Sequence, residues 1–130
     1  SQGRYGEAEP LYLEALAMYK QLLGEAHPYV ANSLNNLALL YKSQGRYGEA
    51  EPLYLEALAM RKQLLGEAHP DVANSLYNLG TLRYNQGRYS EAQTLLLQAQ
   101  LIYFAQLGPD HPNTQALQSW IDTTQAALNG

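Results

Sequence analysis

Residues 1–42 of this chain return almost unchanged as residues 43–84. The two copies differ at seven positions: Tyr19/Arg61, Tyr29/Asp71, Asn35/Tyr77, Ala38/Gly80, Leu39/Thr81, Tyr41/Arg83 and Lys42/Tyr84. A third, divergent copy opens at Asn85 with NQGRYSEAQ and runs to the C-terminus. Self-similarity at a fixed period of about 20–50 residues marks a solenoid, in which each unit buries its apolar face on its neighbours. The expected organisation is one domain, 1–130, with units of about 1–42, 43–84 and 85–130.

Two segments of each unit carry a 3.6-residue apolar period. In the first, here called type A, Val30, Leu34, Leu37, Ala38 and Tyr41 share one helix face. In the second, type B, Ala50, Leu53, Tyr54, Ala57, Leu58 and Leu65 do the same. The breaks between them agree with this reading. Gly45 in Gln44-Gly45-Arg46 can take the positive φ that ends a helix. Pro70, after His69, suits the first turn of the next helix, where its missing N–H is not needed. The pattern predicts six helices: B over about 5–23, A over 28–43, B over 47–65, A over 70–85, B over 89–107 and an A-like helix over 112–128. Pro10 and Pro52 fall early in B helices, so those helices are expected to start late or to kink there. The third copy has Thr94 at this position. The order B-A-B-A-B-A reads as a segment of a longer array, opening on a B helix and closing on an A-like one.

Composition removes several classes of function. No apolar run approaches the ~20 residues that span a bilayer, and no leader-like segment opens the sequence, so no membrane partner is expected. There is no cysteine, which removes thiol chemistry and fits a reducing compartment such as the cytoplasm. Eight basic residues against 12 acidic ones, a net charge of −4, leave no basic stripe for nucleic acid. Neither a phosphate-binding glycine loop nor a nucleophile–base set is visible, so no catalytic residue and no cofactor is expected. His27, His69 and His111 recur every 42 residues before a proline. Equivalent positions on stacked units lie about 10 Å apart, too far to share one metal ion, and these histidines read as loop residues at helix starts. Glu7, Glu9, Glu49 and Glu51 read as acids in the first turns of B helices, where the helix dipole favours them.

Leu34, Leu37, Ala38 and Tyr41, followed by Ala50, Tyr54 and Ala57, resemble the tetratricopeptide pattern. The next unit matches with Leu76, Leu79, Gly80, Ala92, Leu96 and Ala99, but has Arg83 at the tyrosine position. The usual period is about 34; at 42 residues, with NNLALLYKSQGRYGEAEPLYLEALAM and GEAHPDV, the units resemble the kinesin light chain subclass. The resemblance covers the chain to about Pro112. The last helix keeps Leu117, Trp120, Ile121 and Leu128 but loses the motif, and resembles a cap. The fold implied is all-α: a right-handed superhelical solenoid of antiparallel helix pairs, six helices in all. Small residues such as Ala38, Gly80, Ala50 and Ala57 would allow helix axes to approach to roughly 8–10 Å.

The resemblance also implies a site, because A helices line the concave face of such arrays. That face would carry Asn32, Asn35, Asn36, Leu39 and Lys42 from one A helix. Asn74, Tyr77, Asn78, Thr81 and Tyr84 would come from the next, and Ser119, Trp120 and Thr123 from the last. Asn36 and Asn78 stand where kinesin light chain and O-GlcNAc transferase have a ladder of asparagines. An amide offers both donor and acceptor to a peptide backbone. Trp120 takes the third ladder position. Leu39 and Thr81 stand where a carboxylate clamp would need asparagine, which disfavours recognition of a C-terminal carboxylate. Kinesin light chain cargo peptides carry tryptophan among acidic residues; here only Lys42 and Arg83 are candidate basic groups for such a ligand. The reading is a non-catalytic module binding a peptide segment of a protein partner. The alternative is a structural scaffold that associates head to tail, the A-like end of one molecule on the Leu11–Leu22 face of another.

Overall fold

Helix ends in this protein are set by glycine on one side and by His-Pro on the other. Gly24, Gly45, Gly66, Gly87 and Gly108 all have φ between 76° and 93°, a left-handed conformation that costs an L-residue with a Cβ. The computed structural model describes residues 2–130, with side chains from residue 6 onward. It contains six helices among the described residues: α1 (Gln2–Leu23), α2 (Pro28–Ser43), α3 (Tyr47–Leu65), α4 (Pro70–Asn85), α5 (Tyr89–Leu107) and α6 (Pro112–Asn129). The A helices α2 and α4 and the B helices α3 and α5 fall where the periodicity placed them.

Three details differ from expectation. α1 begins before residue 5, so Glu7 and Glu9 lie beyond its first turn; only Glu49 of the four repeated glutamates occupies a first turn. Glu9 instead serves an ion pair, described below. Second, α1 and α3 do not start late at Pro10 and Pro52, which lie inside the helices. A proline ring crowds the carbonyl four residues back. Here those residues are Gly6 and Gly48, at which an added Cβ would meet nothing within 4 Å. In the third copy Thr94 replaces the proline, and its hydroxyl donates to the Ser90 carbonyl at 3.2 Å. Third, the histidines are working caps. The Nδ1 atoms of His27, His69 and His111 accept from the backbone N–H of Tyr29, Asp71 and Asn113 at 3.1, 3.0 and 3.1 Å. Each satisfies an N–H that the helix itself leaves unpaired.

The chain forms two compact units, Ser1–Leu64 and Leu65–Gly130. In the first, α1 packs along α2. α3 is tied to α2 by Arg61, whose Nη2 donates to Asn32 Oδ1 at 2.9 Å, and to α1 by a 3.7 Å Lys20–Glu56 ion pair. Val30, Leu34, Leu37 and Ala38 of α2 and Ala50, Tyr54 and Ala57 of α3 are buried. Arg46, in the α2–α3 turn, ties the ends of α2 and α3 to α1. It donates to Glu9 of α1 at 2.7 Å, to Gln44 at 2.7 Å and to Glu49 at 3.1 Å, and lies 4.3 Å from the Tyr41 ring centre. In the second unit α5 packs between α4 and α6, and Leu76, Leu79, Leu82, Leu96, Ala99, Tyr103, Leu117 and Ile121 are buried. Burying each large aliphatic side chain contributes about 1.5–3 kcal/mol. In both units the burial follows the apolar stripe read from the sequence.

Candidate functional site

On α2, Asn32, Asn36 and Leu39 are exposed, while Asn35 and Lys42 are half-buried. The helical spacing explains this: Leu34, Leu37, Ala38 and Tyr41 take the buried stripe, which turns Asn32, Asn36 and Leu39 outward. Asn36 makes no side-chain hydrogen bond among the described residues, so both ends of its amide are open. Asn32 is not equivalent to it, because its carbonyl oxygen already accepts from the buried Arg61. Leu39 is 52% exposed and lies three residues beyond Asn36 on the same helix. Burial lowers the pKa of the Lys42 ammonium from its ordinary value, as desolvation disfavours the charged form.

The α4 face is built differently. Asn74, Tyr77, Asn78 and Tyr84 are half-buried. The Asn78 side-chain amide donates to Asn74 Oδ1 at 3.3 Å, one turn back along the helix. Thr81 is a correction to the expected surface: it is only 3% exposed and its hydroxyl donates to the Asn78 carbonyl at 2.9 Å. Threonine commonly returns its hydroxyl to the preceding turn in this way. Arg83, considered above as a basic groove residue, is also buried, with Nη1 donating to Gln86 Oε1 at 3.3 Å.

Tyr84 belongs to an aromatic cluster. Its ring centre lies 5.1 Å from that of Tyr89 and 5.5 Å from that of Trp120, the latter edge-on. Such geometry sets the positive ring edge against a negative face. Ser119, Trp120 and Thr123 line a shallow cavity of about 170 Å³ on α6. Trp120 is thus held by Tyr84 while still reaching this surface.

Sequence reasoning missed three polar contacts: Arg61 with Asn32, Arg46 with Glu9, and Asn78 with Asn74. A local signal existed for part of this. Arg46/Glu49 and Arg88/Glu91 share an i, i+3 spacing, and both pairs form. Those bonds hold the Glu49 and Glu91 carboxyls below the ordinary range. Among the described residues, no group of three His, Cys, Asp or Glu side chains is placed to hold a metal ion. No described helix is long and apolar enough to cross a membrane.

Helix pairs repeated in tandem, with small residues at their crossings and polar amides on the A helices, define a helical-repeat protein. The comparison with known families makes this specific. The tetratricopeptide repeat model matches residues 1–63 and again 40–103, and the chain belongs to that family. Such repeats generally mediate protein–protein interaction and are typically non-catalytic. A solved structure from Podosopora anserina, a candidate kinesin light chain with nearly identical TPR-like repeats, is 27% identical over 98% of this chain, with a TM-score of 0.88. A point variant of it gives the same score. BtubC (BKLC) from P. vanneervenii is also 27% identical over 98% of the chain, with a TM-score of 0.71. The chain spans 61%, 60% and 59% of the length of these three. No curated protein matches it.

Proposed function

We propose that this chain is a non-catalytic interaction module whose A-helix faces hold a peptide segment of a protein partner. The observation that carries the reading is on α2: Asn36 and Leu39 are exposed side by side, with the Asn36 amide open. An amide can pair with peptide N–H and C=O groups whatever the side chains, and a neighbouring leucine adds apolar area. Asn78 supports the same role on α4 less freely, because it is half-buried and one of its amide N–H groups already donates to Asn74. Tyr84 and Trp120 add rigid aromatic surface of the kind that dominates interface energies. Kinesin light chain-type repeats are the structures this chain resembles, which favours a peptide ligand over a small molecule. Their preference for acidic cargo is not carried over. Arg83 is buried, and Lys42 is half-buried.

The test is a random-peptide display selection on the immobilised chain, run beside a folded Asn36→Ala/Asn78→Ala variant checked by circular dichroism. Enrichment of one peptide family on the wild type, lost on the variant, is the expected result. Enrichment that survives the double substitution contradicts the assignment.

A second reading, head-to-tail self-association, is favoured by α1, where Leu11, Met18 and Leu22 are 64%, 52% and 72% exposed. Sedimentation analysis decides it: a chain that stays monomeric up to millimolar concentration is not a self-assembling scaffold.

A further inference from the structure

The outward side of α5 carries a stripe that the other B helices lack. Leu97, Leu101 and Phe104 stand at i, i+4 and i+7, one helix face, and are 48%, 74% and 55% exposed. With Gln98 and Gln100 they line a groove of about 490 Å³. At the equivalent positions the first two copies have Leu13, Ala17 and Lys20, and Leu55, Ala59 and Lys62. Leu13, Ala17, Leu55, Ala59 and Lys62 are also exposed. Exposure therefore belongs to the position, whereas the apolar bulk belongs to the third copy alone. Ala59 becomes Leu101, Lys62 becomes Phe104, and the adjoining Glu56 becomes Gln98. These three changes add apolar area or remove a charge at exposed positions, while Leu58 becomes Gln100 beside them.

The rim of the groove has a sign. Toward α6, Gln100 Nε2 donates to Gln118 Oε1 at 2.7 Å, and Gln118 Nε2 donates to Asp122 Oδ1 at 2.9 Å. The relay ends in an exposed carboxylate. Residues 89–130 contain no lysine or arginine; Glu91 is paired with Arg88, and Asp110 and Asp122 are exposed carboxylates. A stripe of this spacing fits the ridge of a second helix, and its acidic border complements a cation.

We propose that the Leu97–Leu101–Phe104 face docks a cationic amphipathic helix of a protein partner. The apolar residues of that helix lie over Leu101 and Phe104, and its lysines or arginines face the Asp122 rim. This surface is on a B helix and is separate from the A-helix faces, so the chain engages two segments at once. A second copy is a poorer occupant by charge, because the exposed apolar side of α1 is accompanied by Glu7 and Glu14, and acid would meet acid.

The experiment uses two labelled 18-residue helical peptides, one of leucine and lysine and one of leucine and glutamate, titrated with the full chain by fluorescence anisotropy. The wild type is expected to bind the lysine peptide at least tenfold more tightly than the glutamate peptide. Leu101→Ala/Phe104→Gln, at exposed positions that leave the core untouched, is expected to weaken it at least tenfold. Asn36→Ala/Asn78→Ala is expected to leave it unchanged. Equal binding of both peptides, or unaltered binding by the α5 variant, overturns the proposal. So does a wild-type oligomer that Leu101→Ala/Phe104→Gln returns to monomer, which would make a second copy the occupant.

Discussion

The helix pairs α2–α3 and α4–α5 occupy equivalent places in the repeat, yet they fill one shared position differently. In the first pair Ala38 and Tyr54 are both fully buried. At the equivalent positions the second pair has Gly80 and Leu96, and a Cβ on Gly80 would stand 2.9 Å from Leu96 Cδ2. A larger residue at this point of α4 would force the buried Leu96 side chain to shift. The aromatic solution leaves a polar atom behind: the Tyr54 hydroxyl is buried with no hydrogen-bond partner among the described residues, and burial pushes its pKa up to about 12. The leucine solution has no such atom. Equivalent positions of the repeat are thus buried in two ways, each with its own weakness.

The largest expected effect lies on the leucine side. Leu96→Ala should cost about 2–5 kcal/mol in urea unfolding, from lost burial and the cavity it leaves. Gly80→Ala should cost about 1–2 kcal/mol alone, with overpacking outweighing better helix propensity. In a Leu96→Ala background the same change should become neutral or stabilising. Strict additivity of the two would show that the crossing is not limited by this contact.

The tyrosine side makes the opposite prediction. Tyr54→Phe removes an unsatisfied hydroxyl and should raise stability by about 1 kcal/mol, seen as a melting temperature higher by about 4 °C. A loss of stability would mean that the hydroxyl has a partner, such as a buried water.

The histidine caps sharpen the comparison from a place where both units agree. His27→Ala and His69→Ala should each cost about 1 kcal/mol, and His→Asn at either site should recover most of it, since asparagine is also a strong N-cap. A cost at one site only would show that the units differ here too.

The smallest effect concerns pH. Arg46 and Arg88 hold Glu49 and Glu91 below the ordinary carboxylate range. Their contribution is present above the unfolded carboxylate pKa and is lost as pH falls through the depressed value. Both groups are exposed, so salt and solvent keep the effect small. Acid titration of stability should soften slightly in both Arg46→Gln and Arg88→Gln. An unchanged acid titration in either variant would show that its arginine does not stabilise the carboxylate.

What the sequence revealed and what it hid have separate physical causes. Helix positions were legible because Leu34, Leu37, Ala38 and Tyr41 keep strict helical spacing and because glycine and His-Pro mark the breaks. Both signals are local. The behaviour of the asparagines was not legible. Asn36 and Asn78 share one motif position, but one is open and the other is engaged by Asn74. Asn32 and Asn74 are also equivalent, yet Arg61 takes the first, while its counterpart in the third copy is the buried Tyr103. Those choices depend on which side chain a neighbouring helix presents at that height, and one-dimensional periodicity does not report it. Thr81 and Arg83 were misread as surface for the same reason.

The central claim is that the α2 face around Asn36 contacts peptide. Its most direct test is the affinity of a display-selected peptide for wild type, Asn36→Ala and Asn78→Ala, measured by calorimetry on folded proteins. The account predicts a loss of about tenfold for Asn36→Ala, corresponding to about 1.4 kcal/mol. It predicts a smaller loss for Asn78→Ala, whose amide is half-buried and already gives one N–H to Asn74. Unchanged affinity in Asn36→Ala, or a larger loss in Asn78→Ala, would contradict it.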